Sequence, residues 1–499
     1  PAIPQLGAVM NSRRVDGALR SLLGDGYTMN AHRHMHNSTN QGQQSFHKDS
    51  QRGKPPNHLP RSCFVFYFPA GCTETMGPTE IVPTSHLLSS DDQDWSAVNK
   101  GPEMLAPHAT STKLTSPAHQ PVAVISHHAM IHRGCGRLED EDDDASPWRP
   151  MFKFIFSRGS GGSPKWNHEP GSVRPFAQLT SEPALVPAME ATWDWLLEHE
   201  DRNHGELPSQ EEVDKLHAVL IAPKTIADEA QRVGASYTLG RYAQRGSNAA
   251  LAALLSAVSS PTSSEAARRV AAPGLQAAGS AAVDGLCETL SGATDYRVLM
   301  YGADALGEAC RTPTVAVVGV LLSTIEKLEQ MSVSSSRLLA WAGGEKRQQW
   351  DFAEDTAIAS CAAALSKIAD RTVRTDQGQD HRHVWAALRE FYLAQLQTNA
   401  QRGISGLVSL AAAAWAPDDS ALVGAIYDTA SLSGPQALVH TALGGVQTLS
   451  AVAEATRGGS KVTRIVRNGL LHTLSYERWS DPRDDPRQPH APRLAAKPR

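Results

Sequence analysis

The period of the apolar positions changes partway along the chain. Up to about Arg158 they come in short β-branched and aromatic runs, "RSCFVFYFPA" and "RPMFKFIFSR" the clearest, bounded by Gly, Pro, Asn and Ser. That pattern predicts strands separated by turns. One early segment, "SRRVDGALRSLLG", instead has helical spacing. Further on, Ala and Leu recur at three- and four-residue intervals, as in "YTLGRYAQRGSNAALAALLSAV", "GLCETLSGATDYRVLMYGADALGEA" and "AIASCAAALSKIA". These read as amphipathic helices.

Three of the helices look alike. An Arg-Val pair (Arg232-Val233, Arg269-Val270, Arg297-Val298) opens each, and an Ala-Gly or Leu-Gly step at Gly240, Gly279 or Gly307 closes it. The intervals between those glycines, 39 and 28 residues, fit degenerate HEAT-like helix pairs better than an exact array. An ordinary Ala-rich bundle is the alternative. The expected organisation is multi-domain: a β domain over 1–170, a polar Pro-rich linker over 171–187, an all-α helical-repeat domain over 188–475, and a tail over 476–499 with too much Pro and charge to bury a core. A chain of 499 residues suits more than one domain.

Composition narrows the partners. A formal net charge of −5 argues against nucleic acid or a polybasic membrane contact. The six cysteines (Cys63, Cys72, Cys135, Cys287, Cys310, Cys361) are scattered, with no C-x-x-C pair, which points to a reducing interior rather than a disulfide framework. No apolar run reaches the roughly 20 residues that a membrane-spanning helix needs. A soluble, cytoplasmic protein is therefore expected, although the start at Pro1 rather than Met leaves a missing leading segment, and with it targeting, open.

The chemistry concentrates in the β half. "QSFHKDSQ" supplies His47 and Asp49, two side chains on one face of an extended strand because strand side chains alternate. A second His-x-Asp, His199 and Asp201 in "LEHEDRN", falls in a charged helical stretch where such neighbours point apart, and reads as a solvated face. His132 follows His47 by 85 residues of strands and turns, enough to bring the chain back to the same place. Two histidines and one carboxylate on one face of an octahedral ion leave three positions open, the arrangement of non-haem Fe(II) oxygenases. Arg149 opens the apolar strand that comes next. A guanidinium deep in a barrel calls for a carboxylate partner, and the distal carboxylate of 2-oxoglutarate would supply one. Arg158, at the other end of that strand, reads as solvated.

His47-x-Asp49, "MGPTEIVPTSH" at residues 76 to 86, "HRG" at His132 and "RPMFKFIFSR" follow one another in the order found in the phytanoyl-CoA dioxygenase family. The resemblance spans roughly residues 8–170, including a "PKWNH" ending at His168. The helical half has no part in it. The resemblance implies a double-stranded β-helix, a jelly-roll or cupin-like barrel, closed around Fe(II), with His47, Asp49 and His132 as ligands and Arg149 as the anchor of 2-oxoglutarate. It further implies a dioxygenase that uses O2, releases succinate and CO2, and hydroxylates a small-molecule or acyl substrate. In related halogenating enzymes a small residue stands where this chain has Asp49, so the carboxylate points to hydroxylation. Family members commonly carry an Asn shortly after the distal histidine and a shorter run to the arginine, whereas here "GCGRLEDEDDDASPW" intervenes.

Other histidines compete. His32, His34 and His36 alternate along one strand face and suit Zn or Cu as well as Fe, and His128 is expected to share a strand face with His132. The six acids Glu139 to Asp144 read as a solvent-facing connection between two adjacent antiparallel strands that carry His132 and Arg149, since so many like charges cannot be buried together. A calcium site there is the lesser alternative. Two rival functions remain: a catalytically silent barrel on a scaffold whose helical repeats bind a protein partner, and a β-barrel metalloenzyme that needs no 2-oxo acid.

Overall fold

The computed structural model describes residues 4–24, 27–37, 43–49, 58–88, 110–137, 149–158, 176–180, 182–197, 206–222, 229–312, 314–339 and scattered positions from 357 to 368. By its contacts the chain divides into two units, Pro1–Ala387 and Leu388–Arg499, and every described residue belongs to the first. The expected tail, the acidic run Glu139 to Asp144, His168 and the His199/Asp201 pair lie outside the described residues.

Two helices, α1 (Pro4–Met10) and α2 (Arg13–Leu23), come first. Ser12 caps α2 by accepting the Val15 N–H at 3.4 Å, satisfying one of the donors a helix start leaves unpaired. Val15, Leu19 and Leu23 recur every four residues on one face. That face packs on Cys63, Val65, Phe154 and Phe156, the outer side of an antiparallel sheet.

The sheet has four strands, β1 (Thr28–Asn37), β2 (Ser62–Phe68), β5 (Val122–His127) and β7 (Pro150–Ser157), in the order β1-β7-β2-β5. β2 is apolar at nearly every position because both its faces are covered. Its alternate residues Phe64, Phe66 and Phe68 form the inner face with Met151, Ile155, Cys72 and Met76. Each such buried aromatic stabilises the fold by about 1.5–3 kcal/mol. A second antiparallel sheet of three short strands, β3 (Thr79–Ile81), β4 (Thr112–Lys113) and β6 (His132–Gly134), runs in the order β4-β3-β6. The two sheets meet through side chains: the His132 ring on β6 lies 5.6 Å from Phe64 and 5.8 Å from Phe66.

The described residues from 176 to 339 are largely helical. A helical turn (Phe176–Leu179) and a 3-10 turn (Pro183–Leu185) lie in the stretch read as a linker, and Leu185 there is fully buried. Then come α3 (Val186–Leu196), α4 (Gln210–Ile221), α5 (Glu229–Gln244), α6 (Asn248–Ser259), α7 (Glu265–Ala278), α8 (Val283–Gly292), α9 (Tyr296–Ala309) and α10 (Val315–Leu339). Ser209, Ser247, Ser264 and Asp295 cap α4, α6, α7 and α9. Helices α5, α7 and α9 pack on one another in one layer, and α4, α6, α8 and α10 in another. Gly279 does end α7, at φ 60°. Gly240 and Gly307, expected to close helices, instead lie inside α5 and α9. A Cβ on Gly240 would meet the Gly274 carbonyl at 2.3 Å, and one on Gly307 the Ala364 backbone at 2.6 Å. These glycines mark close helix crossings rather than helix ends.

Sheets and helices are joined by polar contacts within this one unit. The Arg61 guanidinium grips Glu308 on α9 through Nε at 2.6 Å and Nη2 at 2.5 Å, and His58 Nδ1 meets the Tyr237 hydroxyl of α5 at 3.0 Å. Arg158 is not simply solvated: its guanidinium lies 4.6 Å above the Trp195 ring of α3, where a delocalised cation stacks favourably. Among the described residues no helix is long and apolar enough to cross a membrane.

Candidate metal centre

Residues 43–47 lie alongside β6. The Gln44 N–H donates to the Gly134 carbonyl at 2.9 Å, and Gly134 N–H returns a bond to the Gln44 side-chain oxygen at 2.9 Å. His47 and His132 then exchange main-chain hydrogen bonds at 2.9 and 3.0 Å, an isolated antiparallel bridge. β6 is held from its other edge by β3, with Ile81 opposite His132. The turn that delivers β3 needs Gly77, at φ 70°, where a Cβ would stand 2.6 Å from the Cys135 carbonyl. The His47 and His132 rings end 4.5 Å apart, and Asp49, two residues beyond His47, returns to the same side.

One ligand atom from each of His47, Asp49 and His132 lies within 4.8 Å of the others, and among the described residues this is the group of three or more potential ligands so placed. His47 Nε2 is 3.7 Å from Asp49 Oδ1, and His132 Nε2 is 3.7 Å from Asp49 Oδ2. His47 Nδ1 faces the Ser45 carbonyl at 2.9 Å and His132 Nδ1 the Met130 carbonyl at 3.0 Å. A carbonyl can only accept, so each Nδ1 carries the proton and each Nε2 presents its lone pair toward Asp49. Backbone carbonyls tying the second nitrogen are a common support of metal-bound imidazoles.

Charge states agree with that role. Burial lowers the His132 pKa to about 4, with the Lys153 ammonium acting in the same direction, so this imidazole is neutral near pH 7. Burial alone would raise the Asp49 carboxyl, but the hydrogen bond and charge of Lys153, with the two histidines, hold it below the usual range. The donor set of two imidazoles and one carboxylate fits a first-row divalent ion with positions left open. Cis ligands on an octahedral ion with bonds of about 2.1 Å stand about 3 Å apart, so the triad closes around an ion by small side-chain shifts.

Arg149 sits immediately before β7 and is buried, with Nη1 3.2 Å from the Thr79 hydroxyl of β3 and its guanidinium 5.8 Å above Phe68. The strands that follow His132 and Arg149 are not neighbours in one sheet, contrary to expectation. β6 belongs to the three-stranded sheet and β7 to the four-stranded one. His128 does not share a strand face with His132 either. A turn at His128 to Met130 separates β5 from β6, and the His128 ring packs on Phe64 at 4.7 Å. The backbone of His32, His34 and His36 lies in edge strand β1, while the side chains of His32 and His34 lie outside the described residues.

Sequence reading passes over one residue of the site. Lys153 on β7 hydrogen-bonds Asp49 and lies 3.5 Å from His132 Nε2. Its signal is parity: Arg149, Met151, Lys153 and Ile155 alternate onto one face, and Met151 and Ile155 are core.

All six cysteines are free. No protein-family model matches this chain, and no curated protein matches it.

Proposed function

We propose that the chain is an Fe(II)- and 2-oxoglutarate-dependent dioxygenase that hydroxylates a small-molecule or acyl substrate on a double-stranded β-helix backed by HEAT-like repeats. The observation that carries this reading is the meeting of His47, Asp49 and His132 with both Nε2 lone pairs turned to the carboxylate. Bound at that triad, ferrous iron supplies the redox chemistry that couples decarboxylation of 2-oxoglutarate, to succinate and CO2, to hydroxylation of a C–H bond.

The protein's own part is positioning and exclusion of water. The His47–His132 bridge holds two ligands in register, and Asp49 adds the negative charge that favours a divalent cation. Phe64, Phe66, Phe68 and Met151 line the inner face and are buried, so apolar side chains back the site on that face while His47 and Asp49 are reached from solvent. Arg149, buried immediately before β7, would receive the carboxylate at the far end of a dicarboxylic acid, where its planar fork suits bidentate binding.

The Lys153–Asp49 ion pair is the one feature that favours a second reading. In it an internal cation fills the triad, the barrel is silent, and the helical layers serve as a protein-binding scaffold. Oxygen uptake separates the two. Protein loaded with Fe(II) and given 2-oxoglutarate is expected to consume O2, faster with one member of a panel of small metabolites and acyl thioesters. No uptake with any member, despite bound iron, favours the scaffold.

A further inference from the structure

Lys153 is held where a metal-binding triad ordinarily has no cation of its own. Its ammonium bonds Asp49 and lies 3.5 Å from His132 Nε2. Its stem runs along the inner face, with Nζ 4.2 Å from the centre of the Phe64 ring and 5.8 Å from that of Phe66. The side chain is only 11% exposed. A divalent ion on Asp49 and an ammonium on the same carboxylate repel each other. Moving into bulk water would drag the Lys153 stem off two aromatic faces. Lys153 must find another anion close by, and the open side of the triad is where an acid bound to the metal would present one.

We propose that Lys153 is the exchangeable counter-ion of the site: it holds Asp49 when no metal is bound and passes to a metal-chelating carboxylate once the ion and its acid arrive. The acid half of this proposal rests on the reading of the triad as a 2-oxo acid site. Lys153 and Arg149 are then the two ends of one anion site. They are four residues apart, Arg149 immediately before β7 and Lys153 within it, about 13 Å along extended chain, with their side chains reaching into the space between the sheets. The ligand chemistry that matches is a dicarboxylate, one end at the metal with Lys153 and the other with Arg149. Binding of ion and acid becomes cooperative, because the acid neutralises the cation that the ion displaces.

The test is binding rather than turnover. Co(II) affinity, read from its visible absorption, and the affinities of Co(II)-loaded protein for oxalate and for 2-oxoglutarate are compared in wild type, Lys153→Met, Lys153→Arg and Arg149→Met. Oxalate reaches only the metal end. In Lys153→Met, Co(II) alone is expected to bind about tenfold tighter or more, while both acids bind about tenfold weaker or more. Lys153→Arg keeps the charge and moves both quantities less, which guards against a packing effect of Met. Arg149→Met weakens 2-oxoglutarate and leaves oxalate unchanged. Unchanged Co(II) and acid affinities in Lys153→Met overturn the proposal and leave the oxygenase reading standing, since the acids still bind. If Lys153→Met tightens Co(II) but no protein binds either acid, the oxygenase reading falls together with the transfer to an acid, and only the competition with metal survives.

Discussion

His47 and His132, 85 residues apart in sequence, each donate a main-chain N–H to the other's carbonyl, at 2.9 and 3.0 Å. This bridge makes the two imidazoles one unit: whatever shifts residues 43–47 along β6 shifts the candidate metal site. Gln44 is the clamp, since its side-chain oxygen accepts the Gly134 N–H. Gln44→Ala removes a hydrogen bond of about 1 kcal/mol at an exposed edge. Co(II) affinity is expected to fall about three- to tenfold, with the melting temperature nearly unchanged. An unchanged affinity would show that the bridge holds its register without Gln44.

Acid is expected to weaken the fold well above the pH at which carboxylates titrate. His58 and His127 are buried beside Lys48 and His86, with Tyr237 against His58 and Glu229 and Arg269 beyond Lys48. Burial lowers their pKa values, to about 3 for His58 and about 4 for His127. In the unfolded chain both protonate near pH 6.5, so below that pH the unfolded state binds more protons and folding stability is lost as pH falls. At pH 5 the loss is about 2 kcal/mol for each histidine. Urea midpoints measured at pH 7.5, 6 and 5 should fall steadily, and His58→Gln should flatten the decline. A midpoint constant over that range would contradict the buried neutral state.

The joint between sheets and helices should be energetically visible. Arg61→Ala leaves the Glu308 carboxylate, only 4% exposed, with Lys367 still at 2.9 Å. Since one partner remains, the cost is about 1–3 kcal/mol rather than the larger penalty of an orphaned charge. Denaturant unfolding of this variant should give a lower midpoint in a single transition. A first transition confined to far-UV helix signal would mean that the two halves unfold separately.

Gly77 carries strain that only glycine tolerates. Gly77→Ala puts a Cβ at 2.6 Å from the Cys135 carbonyl in a positive-φ turn, a cost of about 1–3 kcal/mol. Because that turn feeds β3, which braces β6, Co(II) affinity is expected to drop along with stability. A loss of stability with metal affinity intact would show that β6 keeps its place without the turn.

Much of this architecture is legible in side-chain period. The short β-branched and aromatic runs "SCFVFYF" and "PMFKFIFS", bounded by turn residues, foretell strands, and the Val15, Leu19, Leu23 spacing foretells α2. His47, Asp49 and His132 are readable as types and order, but not their bridge, which depends on a non-local pairing. The assignment of β6 and β7 to different sheets is also invisible locally, since a short strand carries no mark of its partner. Gly240 and Gly307 mislead because a glycine at a tight helix crossing and one at a helix end look the same in one sequence. Lys153 escapes notice for a different reason: a lysine amid apolar residues is ordinarily taken for the solvent side of a strand, and only its shared parity with Met151 and Ile155 says otherwise.

The central claim is that His47, Asp49 and His132 hold a ferrous ion that works on 2-oxoglutarate. The most direct measurement is succinate released when protein loaded anaerobically with Fe(II) is given 2-oxoglutarate and then O2. Iron-dependent succinate is expected from the wild-type chain, with only background from Asp49→Ala. Absence of succinate from iron-loaded wild type, or succinate that survives both iron removal and Asp49→Ala, would contradict it.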